Sequence, residues 1–432
     1  MKKMKVLAFL LALFLMLTAV GCAGDSNAVG TSDVSSSQAE EQPVETNAQD
    51  TTAALTAGED SISAGVYIID IMTGINEAGS KAVAVNPLIS SLDDVLATDL
   101  DGISGSDYIK EFASAAAARQ LAIHKKFVEL GLTLSDSDVS TYESYARSIY
   151  AQSGDLYRAT GVSEQAVMDY NRLSLESYKL FQHLYSDGGE YGATIEEKRA
   201  TFDENYNLAE MLVFYKIDTT TYEPLEESIV GEVQTLAESY YQRALSGENM
   251  ADLLFEKASS ELAEGEELPE RGSDEEYYMV VDKVDNGYYY PTVLIDHLNQ
   301  AEDNSIAKIE DDHYIIVVKK LSSAQASDEL ISNYYEQMLP TVKAEEYNER
   351  ADSWSKELSI SYSADVLNTF TPEKVVADTN AYDEALAAEN AAAAESAASE
   401  SAASESAASD SEASSEEAAS SESTAGEEVW CQ

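Results

Sequence analysis

From Asp107 onward the apolar positions fall at spacings near three, four and seven. Ile109, Phe112, Ala116, Ile123, Phe127 and Leu130 form one helical stripe, and Gly131 is placed to end it. Ser135 then opens a second helix carrying Val139, Tyr142, Ala146 and Ile149, and Ser163, after Gly161, opens a third carrying Val167, Tyr170 and Leu173. Each serine hydroxyl is an N-cap, accepting from an amide that the helix itself leaves without a partner. Thr194-Ile195-Glu196-Glu197 is a capping box, in which hydroxyl and carboxylate satisfy each other's orphan amides, and it opens a short helix with Phe202 and Tyr206.

At Leu208 the period changes. Leu208 to Ile217 is a nearly continuous apolar run that suits a pleated surface, so a new domain is expected there. A helix with Ile229, Val233, Leu236 and Tyr240 follows, then a shorter one from Met250 to about Ser260, then a loop rich in Gly and Glu. A short helix from Val293 to Leu298 leads to two further strands, Ser305 to Ile309 and His313 to Lys319. Beyond Ser322 the helical spacing returns with Leu330, Tyr334, Met338, Val342 and Trp354; Pro340 is expected to kink or split that helix, and Trp354 to lie in its core.

The ends of the chain read differently. Three lysines in Met1 to Lys5, the apolar run Val6 to Val20 and Gly21-Cys22 have the layout of a signal peptide, and the run is too short for a permanent membrane span. Ala19-Val20-Gly21-Cys22 resembles the bacterial lipobox, whose cysteine is acylated and becomes the mature N-terminus, although leucine, its usual first residue, is here Ala19. Lipidation is therefore expected on Cys22, with residues 1–21 removed and 22–60 serving as a polar, disordered tether. Cys431, the other cysteine, has no partner within the chain if Cys22 is lipidated and is assigned no role. Ala/Ser/Glu-rich repeats such as Ala397-Ala398-Ser399-Glu400-Ser401 mark 371–432 as a disordered acidic tail. The charge is lopsided, 80 acidic residues against 26 basic for a formal net charge of -54, and no lysine or arginine lies between Lys5 and Lys81 or after Lys374. Such a chain repels nucleic acid and bare anionic membrane.

The order of elements resembles a parvulin prolyl isomerase domain set among the helices of PrsA- and SurA-type foldases. Leu132-Thr133-Leu134-Ser135-Asp136, Gly161-Val162-Ser163-Glu164, Ser246 to Leu253 and Asp311 to Lys319 resemble that family's helix-opening and strand-closing phrases. The resemblance implies an α+β fold: a helical chaperone-like domain, 61–207 completed by 325–370, with a small parvulin-like α/β domain, 208–324, inserted in it. It implies a lipid-anchored folding factor, chaperone or foldase, on the extracytoplasmic face of a bacterial membrane, binding unfolded, newly exported proteins. The alternative is a solute-binding or structural envelope lipoprotein.

The expected catalytic histidines are absent. The first falls on Glu210 or Met211, depending on a one-residue slip, and the closing motif, Asp312-His313-Tyr314-Ile315-Ile316, places Tyr314 where the second belongs. Val293 replaces the phenylalanine of the proline-binding floor, so Glu210, Met211, Val293 and Tyr314 form the candidate peptide-binding pocket. His313 is expected on the opposite face from Tyr314. Isomerase chemistry requires neither nucleophile nor cofactor, since it lowers a rotation barrier of roughly 18–20 kcal/mol by holding a twisted amide; the resemblance leaves it open and favours a degenerate domain kept for binding. No cofactor and no metal are expected: His124, His183, His297 and His313 are scattered, no Gly-rich phosphate loop follows a strand, and Asp136 and Asp138 suit a helix first turn better than a calcium site. Tyrosine pairs such as Tyr240-Tyr241 and Tyr277-Tyr278 fit either ordinary core or a cleft for unfolded chains.

Overall fold

The computed structural model describes residues 43–262, 270–284 and 289–413, with side chains described to residue 394. The signal peptide, Cys22 and Cys431 lie outside the described residues. The chain divides into two compact units, one of Met1–Leu180 with Glu349–Gln432 and one of Phe181–Asn348. Among the described residues no helix is long and apolar enough to cross a membrane.

The first unit is built around α1 (Ala64–Val85), capped by the Ser63 hydroxyl and buried on nearly every side, as a helix apolar all round must be. A short helix α2 (Leu92–Ala97) and a minimal hairpin, β3 (Asp99–Leu100) with β4 (Ile103–Ser104), lead to α3 (Gly105–Glu129). At the start of α3 the chain passes so close to α2 that a Cβ on Gly105 would lie 1.9 Å from the Val95 carbonyl oxygen. The residues that α3 buries include Ile109, Ala113, Ala117, Leu121 and, as predicted, Ile123 and Phe127, with Phe112 and Ala116 at the margin and Leu130 38% exposed. The alanines let α3 approach α1 closely, where a Cβ on Gly74 would already meet Phe112 at 3.1 Å and Ile109 at 3.2 Å. Helices α4 (Asp136–Thr160) and α5 (Glu164–Tyr185) follow, α4 opening on a Ser135/Asp138 capping box and ending at Gly161 with φ 88, a left-handed turn that favours glycine.

Both arms are shorter than the sequence predicts. Residues 53–57 form strand β1 (Ala53–Ala57), paired with β2 (Asp60–Ser63) and with β9 (Ser361–Tyr362). Ala54 and Leu55 are fully buried, so the stretch assigned to a tether up to residue 60 is in its last part a core strand. At the other end, α12 (Ala364–Thr369) leads into α13 (Pro372–Ala413), whose first turns bury Val375, Val376 and Thr379 against the same core. The span read as a disordered tail from residue 371 thus begins as part of the fold. Two adjacent valines weigh little in composition but suffice to seat one helical turn.

The second unit holds α6 (Ile195–Asn205), which opens on the predicted Thr194/Glu197 box, and a four-stranded antiparallel sheet in the order β6-β5-β8-β7. These strands are β5 (Tyr206–Tyr215), β6 (Met279–Asp282), β7 (Ile306–Glu310) and β8 (Tyr314–Leu321). Helices α7 (Glu227–Leu245) and α8 (Met250–Ser260) pack on one face through Ala237, Tyr240, Ala244, Met250 and Leu253, and α9 (Thr292–Gln300) packs on the other through Leu294, Ile295 and Leu298. Helix α10 (Asp328–Val342) joins α6 at the end of the sheet, where Phe202, Leu208, Leu321 and Ile331 form a further core. Pro340 lies inside α10, and the helical run breaks at Lys343 before α11 (Ala344–Glu357). Trp354, predicted as core, is only partly buried; Tyr347 and Ala351 hold the buried positions of α11.

Candidate functional site

The register of the sheet decides what the four candidate residues can do together. β5 and β8 run antiparallel with Glu210 opposite Lys319, Met211 opposite Val318, Val213 opposite Ile316 and Tyr215 opposite Tyr314. Paired residues share a face and neighbours along a strand alternate. Met211, Val213 and Tyr215 therefore lie on the α9 face with Tyr314, Ile316 and Val318, and Glu210 lies on the α7/α8 face.

Met211 and Tyr314 belong to one apolar cluster, separated along it by the Val213/Ile316 pair. Four residues of strand separate the levels of Tyr314 and Val318, about 13 Å at the usual rise. Val293 lies outside the Leu294, Ile295, Leu298 stripe of α9 and is 42% exposed, so it points away from that cluster. His313 is exposed at the foot of β8, and its carbonyl accepts from the Lys216 amide at 2.8 Å. No pair of imidazoles meets on either face among the described residues, and no group of three His, Cys, Asp or Glu there could hold a metal ion.

Glu210 is buried, and its ion-pair partner is Lys319, 3.4 Å away, with Asp274 and Arg271 acting on it more weakly. Burial pushes its carboxyl above the usual carboxylate range, and the Lys319 charge pulls back against that shift. The pair sits between the apolar cluster under α7 and α8 and the one formed with α6 and α10, a position that suits a structural ion pair rather than a ligand.

The α9 face is only partly covered. Nine residues of α9 span about 14 Å, against roughly 33 Å for the ten of β5. α9 is fastened toward β6: Lys320 Nζ donates to the carbonyls of Leu298 at 2.8 Å and Ala301 at 2.9 Å, completing the C-terminal turn, and Asn207 Nδ2 donates to Asn299 Oδ1 at 2.8 Å. The far end of the sheet is left to Val213, Ile309 and Tyr314, all partly exposed, and Tyr215, 44% exposed, with the two tyrosine rings edge to face at 5.6 Å.

Beside that end lies a cavity of about 370 Å³ lined by Val213, Phe214, Tyr215, Leu225, Val233 and Leu236, with Lys257 and Glu261 at its rim. Lys257 Nζ stands 5.3 Å from the Phe214 ring centroid and 2.6 Å from Glu261, so its charge is held and its stem covers apolar surface. Leu236 is 49% exposed at the lip. The sequence assigned Val233 and Leu236 to an ordinary helical stripe. The sequence signal beside them is a Thr-rich turn after β5, Asp218 to Thr221, closed by the Asp218 carboxylate, which accepts from the Thr220 and Thr221 amides at 2.8 and 2.9 Å, and its residues 218–220 also line the cavity.

No protein-family model and no curated protein sequence matches the chain. Among solved structures it is similar to the foldase protein PrsA of Lactococcus lactis, at 12% identity over 74% of this chain and 100% of that one, with a TM-score of 0.29. It is similar also to the foldase protein PrsA of Streptococcus pneumoniae, at 14% identity over 64% and 98% with a TM-score of 0.28, and to PrsA of Bacillus subtilis, at 12% over 58% and 85% with a TM-score of 0.25.

Proposed function

We propose that the chain is a lipid-anchored, extracytoplasmic folding factor that binds unfolded exported polypeptides, with binding rather than prolyl isomerisation as its activity. One observation carries the reading: the tyrosine-bearing end of the sheet is apolar, half-exposed and joined to a cleft of about 370 Å³ on the same strand. Apolar surface of this kind with amphipathic tyrosines at its edge accepts many side chains at low entropic cost. Isomerisation requires a pocket complementary to a twisted amide, and binding is favoured because the register puts Glu210 on the face opposite Met211 and Tyr314, with Val293 42% exposed. The net charge of -54 repels acidic clients and keeps a loaded complex dispersed.

The test is suppression of client aggregation by the full chain, using a reduced, unfolded protein of neutral or positive charge. Wild type at a few-fold excess is expected to hold the client in solution, and Tyr314→Asp to do so several-fold less well. Exchange of a proline peptide between cis and trans is expected at the uncatalysed rate. Failure of the wild type to suppress aggregation at any excess removes the reading.

A further inference from the structure

Strand β5 has an open edge, and the hydrogen-bond register shows where. The Lys216 amide donates to the His313 carbonyl, so even-numbered residues of β5 make the ladder with β8. The Lys283 amide donates to the Asn205 carbonyl, so odd-numbered residues face β6. The Lys320 amide donates to the Ser305 carbonyl, which fixes the even residues of β8 toward β7 and agrees with both. β6 pairs only with Tyr206 to Ala209. The amides and carbonyls of Met211, Val213 and Tyr215 therefore point toward β6's side of the sheet, where no strand lies beside them among the described residues.

The cleft lies against this edge. Val213, Phe214 and Tyr215 all line it, as do Ile217 to Thr220, so residues of both faces border one cavity where it wraps the edge and the C-terminal end of the strand.

We propose that the β5 edge from Met211 to Tyr215 is a strand-addition site that takes up an extended stretch of unfolded polypeptide, apolar at alternate positions and not acidic. The inference rests on the folding-factor reading and names the form in which a client is held. Three amides and three carbonyls spaced two residues apart are complementary to another extended backbone and to no small ligand. Alternate side chains of the guest enter the cleft formed by Phe214, Leu225, Val233 and Leu236. Backbone pairing is blind to sequence, so the site accepts many chains; at the rim Lys257 is paired with Glu261, and Asp218 together with the chain's net charge of -54 selects against acidic ones.

The full chain is titrated, by fluorescence anisotropy, into a labelled decapeptide alternating valine and serine with a lysine at each end, and into the same peptide N-methylated at every second residue. Wild type is expected to bind the plain peptide at least ten-fold more tightly than the methylated one, whose edge cannot donate. Val213→Pro removes one outward amide and leaves the β8 ladder intact, because that ladder uses the even residues. It is expected to weaken the plain peptide at least ten-fold, as is Leu236→Asp at the lip, which carries the test should the proline variant not fold. Equal affinity for the two peptides, or unchanged binding by both variants, overturns the proposal. A wild-type dimer in sedimentation that Val213→Pro dissociates overturns it too, assigning the edge to a second copy. If neither peptide binds while a client is still kept from aggregating, the edge proposal falls and the folding-factor reading stands; if aggregation is not suppressed, that reading itself falls.

Discussion

Asp70 is the group whose perturbation tests the description of the first unit most directly. It sits on α1, 1% exposed, and its Oδ1 accepts from Gln120 Nε2 at 2.9 Å. Its Oδ2 and the Gln120 Oε1 are both buried, and neither has a partner when the carboxyl is ionised. A proton on Oδ2 turns one of these two open acceptors into a donor and removes the buried charge. Burial drives the carboxyl well above the usual carboxylate range, while the Gln120 bond and the Arg119 charge oppose that shift more weakly. Tyr67 and Tyr170 also feel its charge. The sign follows: the folded state keeps a proton that the unfolded chain releases near the ordinary value of 3.8, so the contribution is complete below that pH and is lost as pH rises toward the folded value. The slope is about 1.4 kcal/mol per pH unit. Asp70→Asn keeps the acceptor, supplies a permanent donor and has no proton to lose. Relative to wild type it is expected to gain about 1.4 kcal/mol for each pH unit above about 4 until the folded carboxyl ionises. Urea unfolding followed by tryptophan fluorescence reads this unit through Trp354. A difference between variant and wild type that stays flat from about pH 4.5 to about pH 7, or an Asn variant less stable throughout, refutes the reasoning.

Two further perturbations separate the structural parts. Lys319→Met strands the Glu210 carboxyl in the sheet and is expected to cost about 2–3 kcal/mol in urea unfolding, reduced from a fully buried case because Lys319 is 26% exposed; Glu210→Met in the same chain is expected to restore most of it. Ending the chain before Pro372 removes Val375 and Val376 from the core and is expected to cost about 3–5 kcal/mol, whereas ending it after residue 394 leaves the Trp354-detected transition in place.

The elements legible in the sequence are those whose signals are local. The Ser135 cap and the Thr194/Glu197 box occupy their predicted places because a cap is made within four residues, and the structure adds Asp138 to the first as a capping box. Leu208 to Ile217 was expected as a strand, and Tyr206–Tyr215 forms it, because a run of apolar, pleat-compatible residues needs no distant partner to be seen. β1 carries too short a signal to be read alone: its five residues pair with β2 in a local hairpin and with Ser361 and Tyr362 from the far end of the chain, and the second pairing leaves no mark on the local sequence. In α3 periodicity singled out the large side chains, while close approach to α1 selects Ala113 and Ala117 for the buried line. The α+β class and the helical order were thus readable, and long-range pairing and packing distance were not.

The site was least legible because its meaning depends on parity. Placing the first active-site position on Glu210 or on Met211 is a one-residue choice along the sequence, yet on a strand it exchanges one face of the sheet for the other. Pairing with β8 resolves it: Glu210 meets Lys319 beneath α7 and α8, and Met211 joins the tyrosine-bearing face. The same parity sets the direction of every amide, even residues toward β8 and odd residues toward the edge that β6 leaves after Ala209. One strand thereby separates two tasks. Side chains of both parities fill cores, but only the even amides make the ladder with β8; beyond Ala209 the odd amides carry no ladder among the described residues, so Val213→Pro is expected to leave that ladder standing while it removes one outward donor.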